Sequence, residues 1–289
     1  MDIKDIPVKI FGPGSQPEST DGNSLSYIDM PSDMATYQKP YIAEPDALTD
    51  LAGAREAMGW LLDALKSYGE STLPMLANLS ALDEESRDLV NQILGEGEVS
   101  VRFDGNVTAR SQEAVLAGVW RTLYFDDNDK VCCDVLEVAD IPHTVRNREG
   151  RSDAEIDLKA DDVPAESNNA LAILSELSSH CAGYTESGKP HSINLTLLPL
   201  SETEIEFLDE RLGRGPVDVL SRAYGKCQII STATANVWWV RYYNSMDTLI
   251  LNSLEVVDVP SIVAAAVEDI RDSAERLKEI LEPYWSDVA

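Results

Sequence analysis

Basic side chains are scarce in this sequence: 23 Lys and Arg stand against 51 Asp and Glu, a formal net charge of -28. Nucleic acid is thereby excluded as an expected partner, because binding it requires cations that displace phosphate counterions. Cysteine is sparse too. Cys132, Cys133, Cys181 and Cys227 form no CxxC pair and no spacing that cradles zinc or an iron-sulfur cluster, so reduced thiols are expected. No apolar run approaches the roughly 20 residues of a membrane span. The first residues, MDIKDIPVKIFGPG, lack the apolar stretch of a signal peptide. These absences predict a cytoplasmic protein without membrane insertion.

What is present is a repeated skeleton. LGEGEVSV (94–101), GVWRTLYF (118–125) and DVLEVADIP (134–142) return without a gap as LGRGPVDV (212–219), NVWWVRYY (236–243) and NSLEVVDVP (252–260). Each pair is offset by 118 positions, as from Leu94 to Leu212. Self-similarity at a fixed offset is the signature of duplication. With 289 residues the chain is long enough for two ordinary cores.

Along the chain, residues 1–45 hold six of the 14 prolines and read as an extended, irregular arm. Residues 46–145 form the first expected unit. Apolar spacing predicts a helix over 48–68, and Asp83 caps a shorter one whose face is Leu89, Val90, Ile93 and Leu94. Strands follow at 99–103, 115–125 and 131–138. Residues 146–169 are charged and polar and read as a linker.

The second unit, 170–289, begins with a helix to about Cys181 and a strand at 193–198. A capping box at Ser201 and Glu204 opens the next helix. A second meander leads to a terminal helix between Pro260 and Trp285. The expected fold class is α+β: a tandem duplication of a helix plus antiparallel meander unit, with flanking helices.

Chemistry is thin. Gly95-Glu96-Gly97-Glu98 follows a helix and carries two carboxylates, which suits a helix terminus and not a phosphate cradle. The histidines are His143, His180 and His191. His180 and Cys181 are adjacent on one helix and point about 100° apart, which does not make a dyad. Glu137 with Asp140, and Glu255 with Asp258, repeat at the strand-to-helix corners, which points to capping through Asp140 or Asp258. Trp120, Trp238 and Trp239 sit mid-strand and are expected in the core, with a partner groove as the sharper alternative. No catalytic residue, no cofactor and no metal site is expected.

The strings FGPGSQP (11–17), LGEGEVSVR (94–102), GVWR (118–121) and HSINLTLLPLS (191–201), with VEDIRDSAERL (267–277), resemble the HupH/HyaF type of hydrogenase expression/formation proteins. The resemblance implies a cytoplasmic, non-enzymatic accessory factor of nickel-iron hydrogenase maturation. It implies an assembly chaperone whose partners are the hydrogenase small-subunit precursor, held before twin-arginine export, and other maturation proteins. Two alternatives stand beside it. One is an iron-sulfur or metal-handling factor, for which His180, Cys181, His191 and Cys227 are the available ligands; the other is a scaffold bridging other maturation proteins.

An extended client could add to a sheet edge or a groove between the units, and Glu96, Glu98, His191, Ser192 and Asn194 are the candidate contacts. The acidic surface adds an expectation about rate. Association with a leader-bearing client, followed by stopped flow, slows markedly between low and physiological salt, and a rate indifferent to ionic strength removes electrostatic steering.

Overall fold

The computed structural model describes residues 51–70, 74–146, 156, 167–184, 189–223 and 225–288. The expected arm over 1–45 and most of the linker over 146–169 lie outside them. The first half holds α1 (Ala52–Lys66), β1 (Met75–Asn78), α2 (Glu84–Leu94), β2 (Val99–Asp104), β3 (Thr108–Glu113), β4 (Val119–Phe125), β5 (Val131–Val138) and α3 (His143–Arg146). The second holds α4 (Asn168–Ala182), β6 (His191–Asn194), α5 (Glu202–Leu212), β7 (Val217–Ser221), β8 (Lys226–Ser231), β9 (Val237–Tyr243), β10 (Leu249–Val256) and α6 (Val267–Leu281). All ten strands join one antiparallel sheet in the order β1-β5-β4-β3-β2-β7-β8-β9-β10-β6. The fold is α+β.

Local chemistry explains the helix ends. The Asp83 side chain accepts the Ser86 N–H, and Ser201 and Glu204 form the complete capping box. Gly95 and Gly213 leave α2 and α5 at φ 56° and 62°, a conformation that favours glycine. The second glycine of each pair answers a different need. A Cβ on Gly97 would lie 2.3 Å from the Ala114 carbonyl oxygen, and one on Gly215 would lie 2.5 Å from that of Thr232. Both are packing glycines, and their N–H groups donate to Glu113 O and Ser231 O.

Each meander has four strands where three were expected, because β3 and β8 escape a reading based on apolar alternation. β3 is TARSQE, with its inward positions held by Ala109 and Ser111. Ser111 and Thr122 satisfy each other through hydroxyls 2.7 Å apart, so small polar residues fit a buried strand. The strand expected over 115–125 begins only at Val119, after a turn closed by Val119 N–H to Leu116 O. The strand expected over 193–198 stops at Asn194, whose side chain accepts the Thr196 N–H and starts a 3-10 turn, Leu195–Leu197. At the corners Glu137, rather than Asp140, caps α3 by accepting the His143 N–H. Among the described residues the Asp140 carboxylate accepts only from its neighbour Ile141 N–H and the guanidinium of Arg146.

The two halves meet at β2 and β7, where Val101 faces Val219. Asp104 N–H donates to Pro216 O and Arg222 N–H donates to Glu98 O. These are the same bond with the two halves exchanged, since 104 and 222, and 98 and 216, differ by 118. The correspondence extends into the interior. Trp120 Nε1–H donates to Ala139 O and Trp238 Nε1–H to Val257 O, at 3.0 and 3.1 Å.

The sheet cannot be flat. Asp140 and Asp258 follow β5 and β10, seven strand intervals apart, which is about 34 Å across an uncurled sheet. Yet Arg146 holds both carboxylates with one guanidinium. The sheet therefore curls, and its concave face buries Val99, Phe103, Trp120, Val217, Ile229 and Trp238 beneath Ile141, Val145 and Val263. The opposite face carries α1, α2 and α6 over the first half, and α4 and α5 over the second. α6 crosses back to the first half, its Ile270 and Leu277 packing with Met58 and Leu61 of α1.

The glycine geometry yields a stability test. Gly97→Ala and Gly215→Ala each lower stability by about 2 kcal/mol in urea denaturation, as overpacking against backbone does. Glu96→Ala changes it by less than about 0.5 kcal/mol. A neutral Gly97→Ala variant contradicts the close-approach explanation.

Candidate functional site

Two surfaces present themselves. The first is a cleft of ≈ 920 Å³ on the helix-bearing face, where none of the described helices covers the central strands. The alternation of β2, β3, β4, β7 and β8 sends Ser100, Arg102, Arg110, Gln112, Arg121, Asp218, Lys226 and Gln228 into it, with the end of α2 as one wall. Its basic side chains are paired with carboxylates that flank the cleft. Arg121 grips Asp134 with both forks at 2.9 and 2.7 Å and also binds Asn91. Arg102 pairs with Asp104 and Lys226 with Asp247. A cleft so balanced suits polar, uncharged atoms such as peptide amides better than a free anion.

The second surface lies at one sheet edge, on β6, which among the described residues pairs only with β10. Beside it the 3-10 turn packs on β10, with Thr196 Oγ1 accepting the Asn252 N–H. This places Leu197 and Leu198 next to the start of β10, where Leu249 and Ile250 stand, with Met246 in the preceding turn. Leu197 is 79% exposed, Ile250 55% and Met246 81%. Large apolar side chains gathered at an edge mark an interaction surface. Sequence reasoning missed these residues, although the unalternated run Leu249-Ile250-Leu251 was a usable signal.

The expected contacts are not brought together. Glu96 and Glu98 are exposed beside the centre of the sheet, whereas His191, Ser192 and Asn194 lie on its edge strand. β2 and β6 are five intervals apart, about 24 Å along the sheet. Asn194 already caps the 3-10 turn, and His191 Nε2 lies 2.8 Å from Glu176 Oε1. Ser192 is exposed on β6.

The residues named as possible metal ligands also separate. Cys181 packs half-buried against the core under α4 and α5, and burial raises its thiol pKa. Cys227 is buried on the concave face, where desolvation pushes it up to about 11. His180 and His191 do meet, with stacked rings 3.5 Å apart. Trp120, Trp238 and Trp239 are buried, as expected of core residues.

Two ionisable groups stand out. His143 Nδ1 is 3.1 Å from Glu137 Oε2, and this hydrogen bond raises the imidazole pKa. The pair is built into the α3 corner, where Glu137 also receives the backbone N–H of His143. Glu113, next to the turn after α2, has its carboxyl pushed up to about 7 by burial, partly offset by the Gly118 N–H, with Glu98 adding repulsion.

Comparison with known proteins places these features in context. The family model described as HupH hydrogenase expression protein, C-terminal conserved region, matches residues 53–158 and 167–284. The hydrogenase expression/formation protein HoxQ of Cupriavidus necator is 43% identical over 278 residues, 96% of this chain and 96% of that protein. The hydrogenase-1 operon protein HyaF of Escherichia coli is 31% identical over 280 residues, covering 94% of this chain and 95% of its own length. A solved structure, the hydrogenase expression protein HupH from Thiobacillus denitrificans, is 32% identical, covers 40% of this chain and 95% of that one, and has a TM-score of 0.36.

Glu113 generates a pH test. Its carboxyl keeps a proton up to about pH 7 in the folded chain but loses it near 4.5 when unfolded. Native structure therefore binds more protons, and stability falls as pH rises between these values. Glu113→Gln removes this loss. The variant gains on the order of 3 kcal/mol over the parent at pH 8, and the two converge near pH 4 in chemical denaturation. Equal stabilities at pH 8 rule out the raised pKa.

Proposed function

The chain belongs to the HupH family of hydrogenase expression/formation proteins, and on that premise we propose that it is a non-catalytic assembly chaperone that holds the hydrogenase small-subunit precursor before export. The observation that carries this reading is the apolar patch beside β6, formed by Leu197, Leu198, Leu249, Ile250 and Met246. Exposed leucine and isoleucine at a sheet edge offer reversible burial to a client, and the edge strand itself offers backbone pairing. The cleft supports the same reading, since its basic groups are already paired and it can receive polypeptide without demanding charge. The His143–Glu137 pair is spent on the corner of α3, which fits a binding role better than acid-base chemistry.

In this reading the chain is two copies of one unit, over 46–145 and 170–289, joined by a linker over 146–169 and preceded by an arm over 1–45. The two stretches matched by one family model and the exchanged hydrogen bonds at β2 and β7 support it. Among the described residues β1 and β6 are the outer strands of the sheet, and the exposed apolar residues named above lie beside β6.

The test is an anaerobic pull-down from cells expressing the hydrogenase operon, with this chain as bait. Leader-bearing small subunit is recovered with the parent protein. The variant Leu197→Asp with Ile250→Asp recovers at least tenfold less at unchanged Tm, because both side chains are exposed. Recovery of other maturation proteins without small subunit favours a scaffold, and undiminished recovery by the variant moves the contact elsewhere.

A further inference from the structure

We propose that Glu176, His180 and His191 form a binding site for one divalent transition-metal ion of the zinc, nickel and cobalt class. Nothing in the chaperone reading requires this site. Glu176 and His180 are four residues apart on α4 and so share one face of the helix. His191 opens β6 and is set alongside them by packing beneath. Leu174 and Leu177 of α4 and Ile193 of β6 are buried in one cluster, which fixes the helix against the strand and turns the three polar side chains outward.

The geometry already gathers the donors. One carboxylate oxygen and one ring nitrogen from each histidine lie within 4.8 Å of one another. Glu176 Oε1 is 2.8 Å from His191 Nε2. The two imidazole rings are nearly parallel, 8° between planes. Glu176 and His180 are exposed and His191 is half-buried, so binding would require side-chain rotations that bring the donors to one centre, where metal–ligand distances are about 2.0–2.2 Å.

The donor set selects the ion. Two imidazole nitrogens with one carboxylate suit borderline cations and not magnesium or calcium, which seek all-oxygen shells. Three protein ligands leave a position open toward solvent, as in zinc sites that keep a water or substrate in the fourth position. The surrounding charge of -28 attracts any cation. Binding would staple the end of α4 to the edge strand on which the client surface is built.

This chain makes the experiment clean, because it contains only three histidines. Tag-free full-length protein is titrated with Co²⁺ and followed by visible absorption, with Zn²⁺, Ni²⁺ and Mg²⁺ as competitors. One equivalent of cobalt binds, zinc and nickel displace it, and magnesium does not. His180→Ala and His191→Ala each weaken binding at least tenfold, Glu176→Gln weakens it several-fold, and His143→Ala leaves it unchanged. Imidazole proton NMR gives an independent readout: Co²⁺ perturbs the resonances of His180 and His191 and spares that of His143, with circular dichroism verifying that each variant is folded. Cobalt binding that survives the double variant His180→Ala with His191→Ala, or a thiolate-to-cobalt band reporting the exposed Cys132, overturns the proposal.

Discussion

The backbone pairing of β2 with β7 is the constraint on which the rest of the structure depends. Each strand has the other half's meander on its far side, so this one ladder converts two four-stranded meanders into a single sheet. The exchanged bonds from Asp104 to Pro216 and from Arg222 to Glu98 close the ladder at both ends. Because Val101, Phe103, Val217 and Val219 are all buried here, the junction is also the middle of a core. Separating the halves would expose that apolar face and two rows of peptide groups together.

Curling follows from the junction and determines what each face can do. On the concave side, two indoles whose N–H groups are satisfied by carbonyls fill the interior, and the corner segments close over them. Arg146 joins the two corner aspartates, although its partly exposed position makes it a clasp for the closed geometry and a modest source of stability. On the convex side α1, α2 and α6 cover the first half and α4 and α5 the second. The middle is left as a cleft lined by both charged and apolar side chains, Arg102, Arg121, Leu94 and Leu220 among them, with exposed apolar residues at the β6 edge.

Legibility in the sequence tracks how local the physics is. Asp83, Ser201 with Glu204, and Gly95 with Gly213 act within a few residues, and each does in the fold what its position announced. β3 was illegible because its buried side chains are Ala109 and Ser111, acceptable only where Thr122 supplies a hydroxyl from the next strand. The role of Glu137 was misread for a related reason, since its carboxylate reaches a backbone N–H six residues on, across a corner. Among the candidate contacts, His191 and Asn194 were noticed as polar residues near a strand. What the sequence did not show is that His191 faces Glu176 and that Asn194 accepts the Thr196 N–H.

The sequence by itself determined the caps of α2 and α5, the apolar faces of the long helices, the recurrence at 118 positions and, through its motifs, the family. These follow from near-neighbour sterics, capping and periodicity, which read the chain a few residues at a time. Only the tertiary structure decided that the halves share one sheet, that Arg146 meets both Asp140 and Asp258, and that Glu176 joins His180 and His191. Only it, too, placed Glu96 far from His191. Such proximities depend on strand order and sheet curvature, which are set by how the whole apolar surface is buried at once.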